Sequence, residues 1–226
     1  MMKLLAIETA TETCSVALAV DGDVRERYEH APRLHAERLL PWVTELLADA
    51  GLGFGALDAI AFSRGPGSFT SLRIGIGVVQ GLAWASDTPV VPVSSLAATA
   101  QSAVKHGVNS ALVALDARMN EVFSGTFEAN EDKIMVPVDI ERVCSPADVK
   151  LPAVSETYGI GIGFERYDAL QELSGQLAGV RADIWPRASS VLTLAFDWLR
   201  NNQPLPAEQA QPVYLRDNVA KKKKDQ

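Results

Sequence analysis

The chain has 226 residues, 47% apolar and 22% charged, proportions of an ordinary folded protein that exclude disordered and fibrous classes. Lys plus Arg is 21 against 28 Asp plus Glu, a net charge of −7, with Lys221, Lys222, Lys223 and Lys224 crowded near the end. So acidic a body excludes autonomous tight binding to a phosphate backbone, and the lysine run reads as a solvated, frayed end, with contact to RNA as its alternative. Residues 4–8 then read as a buried strand, 9–13 as a polar turn and 15–20 as the returning strand, closed by the hairpin dipeptide Asp21-Gly22. Residues 35–50 predict a helix whose apolar side chains fall within an arc of roughly 160°. Gly51 and Gly53 end it, and Pro41 predicts a kink or a later start.

Residues 58–63 read as a short buried strand, followed by the loop Gly65-Pro66-Gly67-Ser68 and a second helix over 71–86. Leu72, Ile76, Val79 and Ala83 form one apolar stripe on this helix, and Ile74, Val78, Leu82 and Ala85 form the opposite one. A helix apolar on both sides is covered on both sides, once by the chain's own sheet and once by a neighbouring helix or another protein molecule. Gly77, Gly81 and Ala85, four apart, permit close backbone approach.

A strand over 88–93 and a third helix over 94–103 follow. Residues 112–116 and 122–127 then repeat the opening plan of strand, terminal acid, polar turn and return strand, with Asp116 in the place of Glu8. The repetition predicts two related α/β lobes. Residues 137–152 read as a loop-rich connection, 158–163 as a glycine-laced strand and 188–201 as an amphipathic helix. Residues 203–206 form a linker, and 212–216 are expected to pack back onto the body. The expected division is an N-terminal lobe over 1–103, a smaller lobe over 104–187, and a terminal helix and tail over 188–226.

Cys14 and Cys144 have no near partner, the usage of a reducing compartment. No signal peptide and no 18-residue apolar run are visible, so the expected location is the cytoplasm, without a membrane. His30, His35 and His106 are too scattered for a metal site, and no G-x-S-x-G elbow is present; neither a metal nor a catalytic residue is expected. Two segments invite an anion. Gly65, Gly67 and Ser68 offer backbone N–H groups at a helix start, the alternative being a tight turn with a capping hydroxyl. Glu8, Thr9 and Thr11 form a hydroxyl-rich hairpin tip similar to the phosphate-binding hairpin of actin and hexokinase, but Ala10 stands where those proteins carry a glycine. Glu8 equally suits local backbone bonds at the strand end.

Residues 5–11, 64–75, 93–97 and 115–122 together resemble the TsaB (YeaZ) family, bacterial proteins needed for threonylcarbamoyladenosine formation in transfer RNA; the block Gly-Pro-Gly-Ser-Phe-Thr at 65–70 is the most specific part. The resemblance implies an α/β, actin-like (ASKHA) fold of two duplicated lobes with central mixed sheets. It implies a noncatalytic subunit that docks on the catalytic paralogue TsaD and stabilises its active conformation. A TsaE ATPase is implied as a further partner, with a homodimer when TsaD is absent and tRNA contact through the complex. TsaD binds a metal through two histidines four apart; aligned by the preceding strand, Ser95 and Thr99 stand at those places here. The implied interface is a four-helix packing of the first two helices through Leu40, Val43, Leu47, Ile74, Val78 and Leu82, the alternative being that these helices only cover each other and the sheet. No cofactor is expected, unless ATP or ADP sits at the partner interface. A glycopeptidase-like hydrolase and a nucleotide-binding regulator are the rival functions.

Overall fold

The structure is a computed structural model that describes residues 2–154 and 156–216. The first sheet is built from β1 (Leu4–Glu8), β2 (Thr13–Val20), β3 (Asp23–His30), β4 (Ala59–Gly65) and β5 (Val90–Ser94), in the order β3-β2-β1-β4-β5. The β1–β2–β3 meander is antiparallel, and β1, β4 and β5 run parallel. Helices α1 (His35–Asp49), α2 (Phe69–Ser86) and α3 (Ser95–Val104) connect these strands and lead into the second half.

Alternation along the strands assigns the two faces of this sheet. Leu5, Ile7, Val16, Leu18, Ile60 and Phe62 point to one side, where they pack with Leu39, Val43, Leu46 and Leu47 of α1 and Ile76, Val79 and Ala83 of α2. The residues between them are mostly alanines, Ala6, Ala17, Ala19, Ala59 and Ala61. That flat face accepts α6 (Ala188–Leu199) through Ala188, Val191, Leu192 and Ala195.

The second sheet contains β6 (Ser110–Arg118), β7 (Glu121–Ala129), β8 (Met135–Pro137), β10 (Tyr158–Ile160) and β11 (Gly179–Arg181), in the order β11-β10-β6-β7-β8, with β9 (Arg142–Cys144) also pairing with β7. Helix α3 covers one face through Leu96, Ala100 and Ala103. The short helices α4 (Gly163–Arg166) and α5 (Asp168–Ser174) supply Phe164 and Leu170 to the other.

The repeat read from the two hairpins extends to their chemistry. Each strand-end acid turns back on its own hairpin: Glu8 accepts from the Ala10 N–H at 2.5 Å, and Asp116 from the Arg118 N–H at 2.7 Å. In each lobe the strand parallel to the first one ends in a Gly-x-Gly bend, Gly65-Pro66-Gly67 after β4 and Gly161-Ile162-Gly163 after β10. The first glycine of each has φ near +100°, at +105° and +101°. A Cβ on the second would meet a hairpin carbonyl, that of Ala10 at 2.3 Å from Gly67 and that of Ala114 at 2.8 Å from Gly163.

Several expectations change. Strand β3 is absent from the sequence reading because Asp-Val-Arg-Glu-Arg-Tyr-Glu-His has no apolar alternation; it is an edge strand, guarded by ion pairs of Arg25, Arg27 and Glu26. Helix α2 begins two residues earlier than predicted. Pro41 sits within α1, where its missing N–H leaves one helical bond unmade. The stretch 137–152 is loop-rich as read, and carries the short β9 and a 3-10 turn over Pro146–Asp148. The lysine run lies outside the described residues. Among the described residues no helix is long and apolar enough to cross a membrane.

Candidate functional site

Two features converge on the N-terminal lobe: the outward face of α1 and α2, and a cleft of about 1240 Å³ between the lobes. Helices α1 and α2 pack on one another over the large-residue face of the first sheet. Their geometry divides the six predicted interface residues. Val43 and Leu47, 0% and 3% exposed, belong to the core and not to an interface. The physical reason for this correction is that the apolar arc of α1 is wide enough that its centre must point at the sheet. Leu40 is 48% exposed on the outer side. Ile74, Val78 and Leu82 are half-buried, touching the core from its rim. The sequence reading passed over Trp84, which is 69% exposed on the outward face of α2. The two-stripe reading of α2 holds for the inner stripe, and the outer one is only partly covered within the chain. Gly77 and Gly81 lie on that open side, where a methyl group added to either would meet nothing within 4 Å.

Of the six residues proposed for an anion, Glu8, Thr9, Thr11 and Gly65 are buried, whereas Gly67 is half-buried and Ser68 exposed beside the cleft. Glu8 is fully buried, and both of its oxygens are used, one by the Ala10 N–H and the other by the Ser63 hydroxyl. Burial, only partly offset by those two hydrogen bonds, pushes its carboxyl up to about 7. Burial, with Glu8 nearby, likewise pushes the Cys14 thiol up to about 12. Thr9 packs against α2 at Gly75, where an added methyl would meet its hydroxyl at 2.2 Å. Thr11 bonds the Thr13 hydroxyl at 2.9 Å, and the Nε2–H of buried His35 is shared between the carbonyls of Thr11 and Thr13, each at 3.1 Å. The Ser68 N–H donates to the Ala10 carbonyl at 2.8 Å, and Gly67 lies against Ala10. The hairpin tip and the glycine loop thus plug one another. The tip of the second hairpin is tied to the first, Glu12 pairing with Arg118 at 3.3 Å and with Arg166 at 3.1 Å. Burial works to raise the Asp116 carboxyl, but bonds from the Arg118 N–H, the Tyr167 hydroxyl and Arg166 hold it below the usual carboxylate range. The Ser68 N–H is therefore spent within the chain, while no side chain among the described residues caps the N-terminus of α2.

Ser95 and Thr99 are fully buried on α3, with the Thr99 hydroxyl bonded to the Ser95 carbonyl at 2.8 Å. Among the described residues no three His, Cys, Asp or Glu side chains are placed to share a metal.

The tail packs back as expected. The Val213 N–H donates to the Arg64 carbonyl at 2.7 Å, Tyr214 meets Arg73, and Arg216 pairs with Glu121 and bonds the Ala117 carbonyl. Residues 213–216 thus strap the N-terminal lobe to the second hairpin along the cleft.

A structure of YeaZ from Pseudomonas aeruginosa superposes with a TM-score of 0.89 at 44% identity, covering 95% of this chain and all of that one. The tRNA threonylcarbamoyladenosine biosynthesis protein TsaB of Escherichia coli is 40% identical over 98% of both chains, and its Haemophilus influenzae counterpart is 38% identical over 98% of this chain and 97% of its own. The chain belongs to the TsaB (YeaZ) family. Residues 28–224 also match the family model described as TsaD: tRNA N6-adenosine threonylcarbamoyltransferase. The fold is accordingly actin-like, with two mixed sheets as its lobes.

Proposed function

We propose that this TsaB-family chain is a noncatalytic subunit of the cytoplasmic machinery that forms threonylcarbamoyladenosine in tRNA, and that it works by docking a TsaD-family transferase on its α1/α2 face. TsaE and a second copy of the chain are further partners in this reading, and tRNA is met through the complex. The observation that carries it is the open face of α2. Two glycines inside a helix each cost roughly 0.5–1 kcal/mol relative to alanine, and Gly77 and Gly81 recover nothing for that cost inside the chain. Beside them lie Trp84, Leu40 and the half-covered Ile74, Val78 and Leu82. A partner helix brought close over the glycines would bury these side chains, and an exposed tryptophan is the residue type that most often anchors an interface. The plugged hairpins and the buried hydroxyls of Ser95 and Thr99 favour a structural over a chemical role.

Light scattering after size exclusion, on the chain mixed with its TsaD, tests this reading. A stoichiometric complex is expected. Leu40→Asp and Trp84→Asp change exposed side chains, so both variants are expected to keep the thermal midpoint of the unaltered chain while weakening the complex at least tenfold. Unchanged complex formation by the double variant would remove the α1/α2 face from the interface.

A further inference from the structure

The arginines are unevenly satisfied. Ten of the thirteen pair with a carboxylate among the described residues, and Arg33, Arg64 and Arg73 do not. Arg33 and Arg73 both line the interlobe cleft, in a chain whose net charge is −7. The Arg73 guanidinium lies 3.7 Å over the Phe69 ring, and its Nε donates to the Tyr214 hydroxyl at 2.9 Å. The two rings stand 5.7 Å apart between centroids, 50% and 44% exposed. A cation without a counter-charge, spread on two open aromatic side chains, is a platform for a planar ring that carries an anion. Trp185 lines the same cleft.

The size of the cleft and the placement of its charges narrow the ligand. At about 1240 Å³ it exceeds the roughly 300–1000 Å³ of a usual small-molecule pocket. In its backbone the Ser68 N–H is taken by Ala10, and the hairpin tips are tied through Glu12. Two arginines and exposed aromatic faces lining one cleft suit phosphodiesters spaced along a strand, with bases free to stack.

We propose that the interlobe cleft holds a single-stranded segment of RNA, with a base stacked on Phe69 and Tyr214 and backbone phosphates at Arg33 and Arg73. The choice of RNA among aromatic anions rests on the reading of the chain as part of a tRNA-modifying complex. The acidic body keeps the affinity of the chain alone low, so the cleft orients a strand that the complex has already captured.

Fluorescence anisotropy of a labelled single-stranded oligoribonucleotide with the full chain, at several salt concentrations, tests the assignment. Arg33→Gln and Arg73→Gln are each expected to weaken binding about fivefold and to lower the slope of log affinity against log salt by about 0.7, whereas Arg200→Gln, on an exposed pair with Asp132, leaves both unchanged. No binding by the unaltered chain, equal affinity and slope in Arg33→Gln and Arg73→Gln, or tight retention of ADP with no RNA binding would overturn the proposal. Because the isolated chain is used, a failure of TsaD docking, read separately by light scattering, would sink the partner reading and leave the RNA result standing.

Discussion

Glu8→Gln is expected to stabilise the protein at pH 8. The Glu8 carboxyl titrates near 7 when folded and at 4.5 when unfolded, because burial outweighs its bonds to Ser63 and Ala10. Below pH 4.5 both states are protonated and the group does not affect stability. Between pH 4.5 and 7 the unfolded chain is increasingly ionised while the folded one stays neutral, so stability falls; above 7 the folded chain must bury the charge and the cost levels off at about 3 kcal/mol. Glutamine keeps the shape and still accepts from the Ala10 N–H, while the Ser63 hydroxyl can turn to the Ile7 carbonyl at 3.4 Å. Urea midpoints of the two proteins are expected to coincide below pH 4.5, to diverge between 4.5 and 7 and to stay apart above it, with the variant above the unaltered chain. A variant less stable at pH 8 would mean that the two hydrogen bonds hold the carboxylate charged, reviving an electrostatic task for Glu8. Comparing the proteins at each pH removes the contributions of all other titrating groups.

Gly67→Ala is expected to cost about 2–3 kcal/mol, because the added methyl would lie 2.3 Å from the Ala10 carbonyl oxygen and 2.8 Å from the Ala10 Cβ, atoms held by the hairpin and unable to rotate away. Gly81→Ala is the opposite case. Its methyl meets nothing within 4 Å, and alanine improves the helix, so a gain of roughly 0.5–1 kcal/mol is expected. Thermal or urea unfolding of both variants decides the matter. A destabilised Gly81→Ala, or a neutral Gly67→Ala, would contradict this packing. Gly81→Ala is also expected to weaken the complex with TsaD while it stabilises the isolated chain, which an entirely internal role for the glycine would not produce.

Much of the architecture was legible. Short apolar runs bounded by turn residues placed β1, β4 and β5, the two acids at strand ends exposed the duplication, and the double stripe of α2 marked it as a helix with two covers. The block at 65–70 was specific enough to carry the family. Less legible was anything decided by packing across distant segments. Strand β3 escaped because an edge strand needs only backbone pairing and a charged outer row, for which composition leaves no apolar signal. Trp84 escaped because helical periodicity ranks residues by their stripe and cannot tell a rim from a core.

Sequence alone determined the main strands and helices of the first lobe other than β3, the hydroxyl-rich tips and the glycine loops, since each follows from local periodicity and backbone freedom. Only the tertiary structure decided that Val43 and Leu47 face inward while Leu40 faces out, because that depends on which side of α1 the sheet occupies. It alone decided that the two candidate anion loops satisfy each other, since the bond from the Ser68 N–H to the Ala10 carbonyl joins segments nearly sixty residues apart. Whether a donor is free is a property of its neighbours in space, and residue type does not record it.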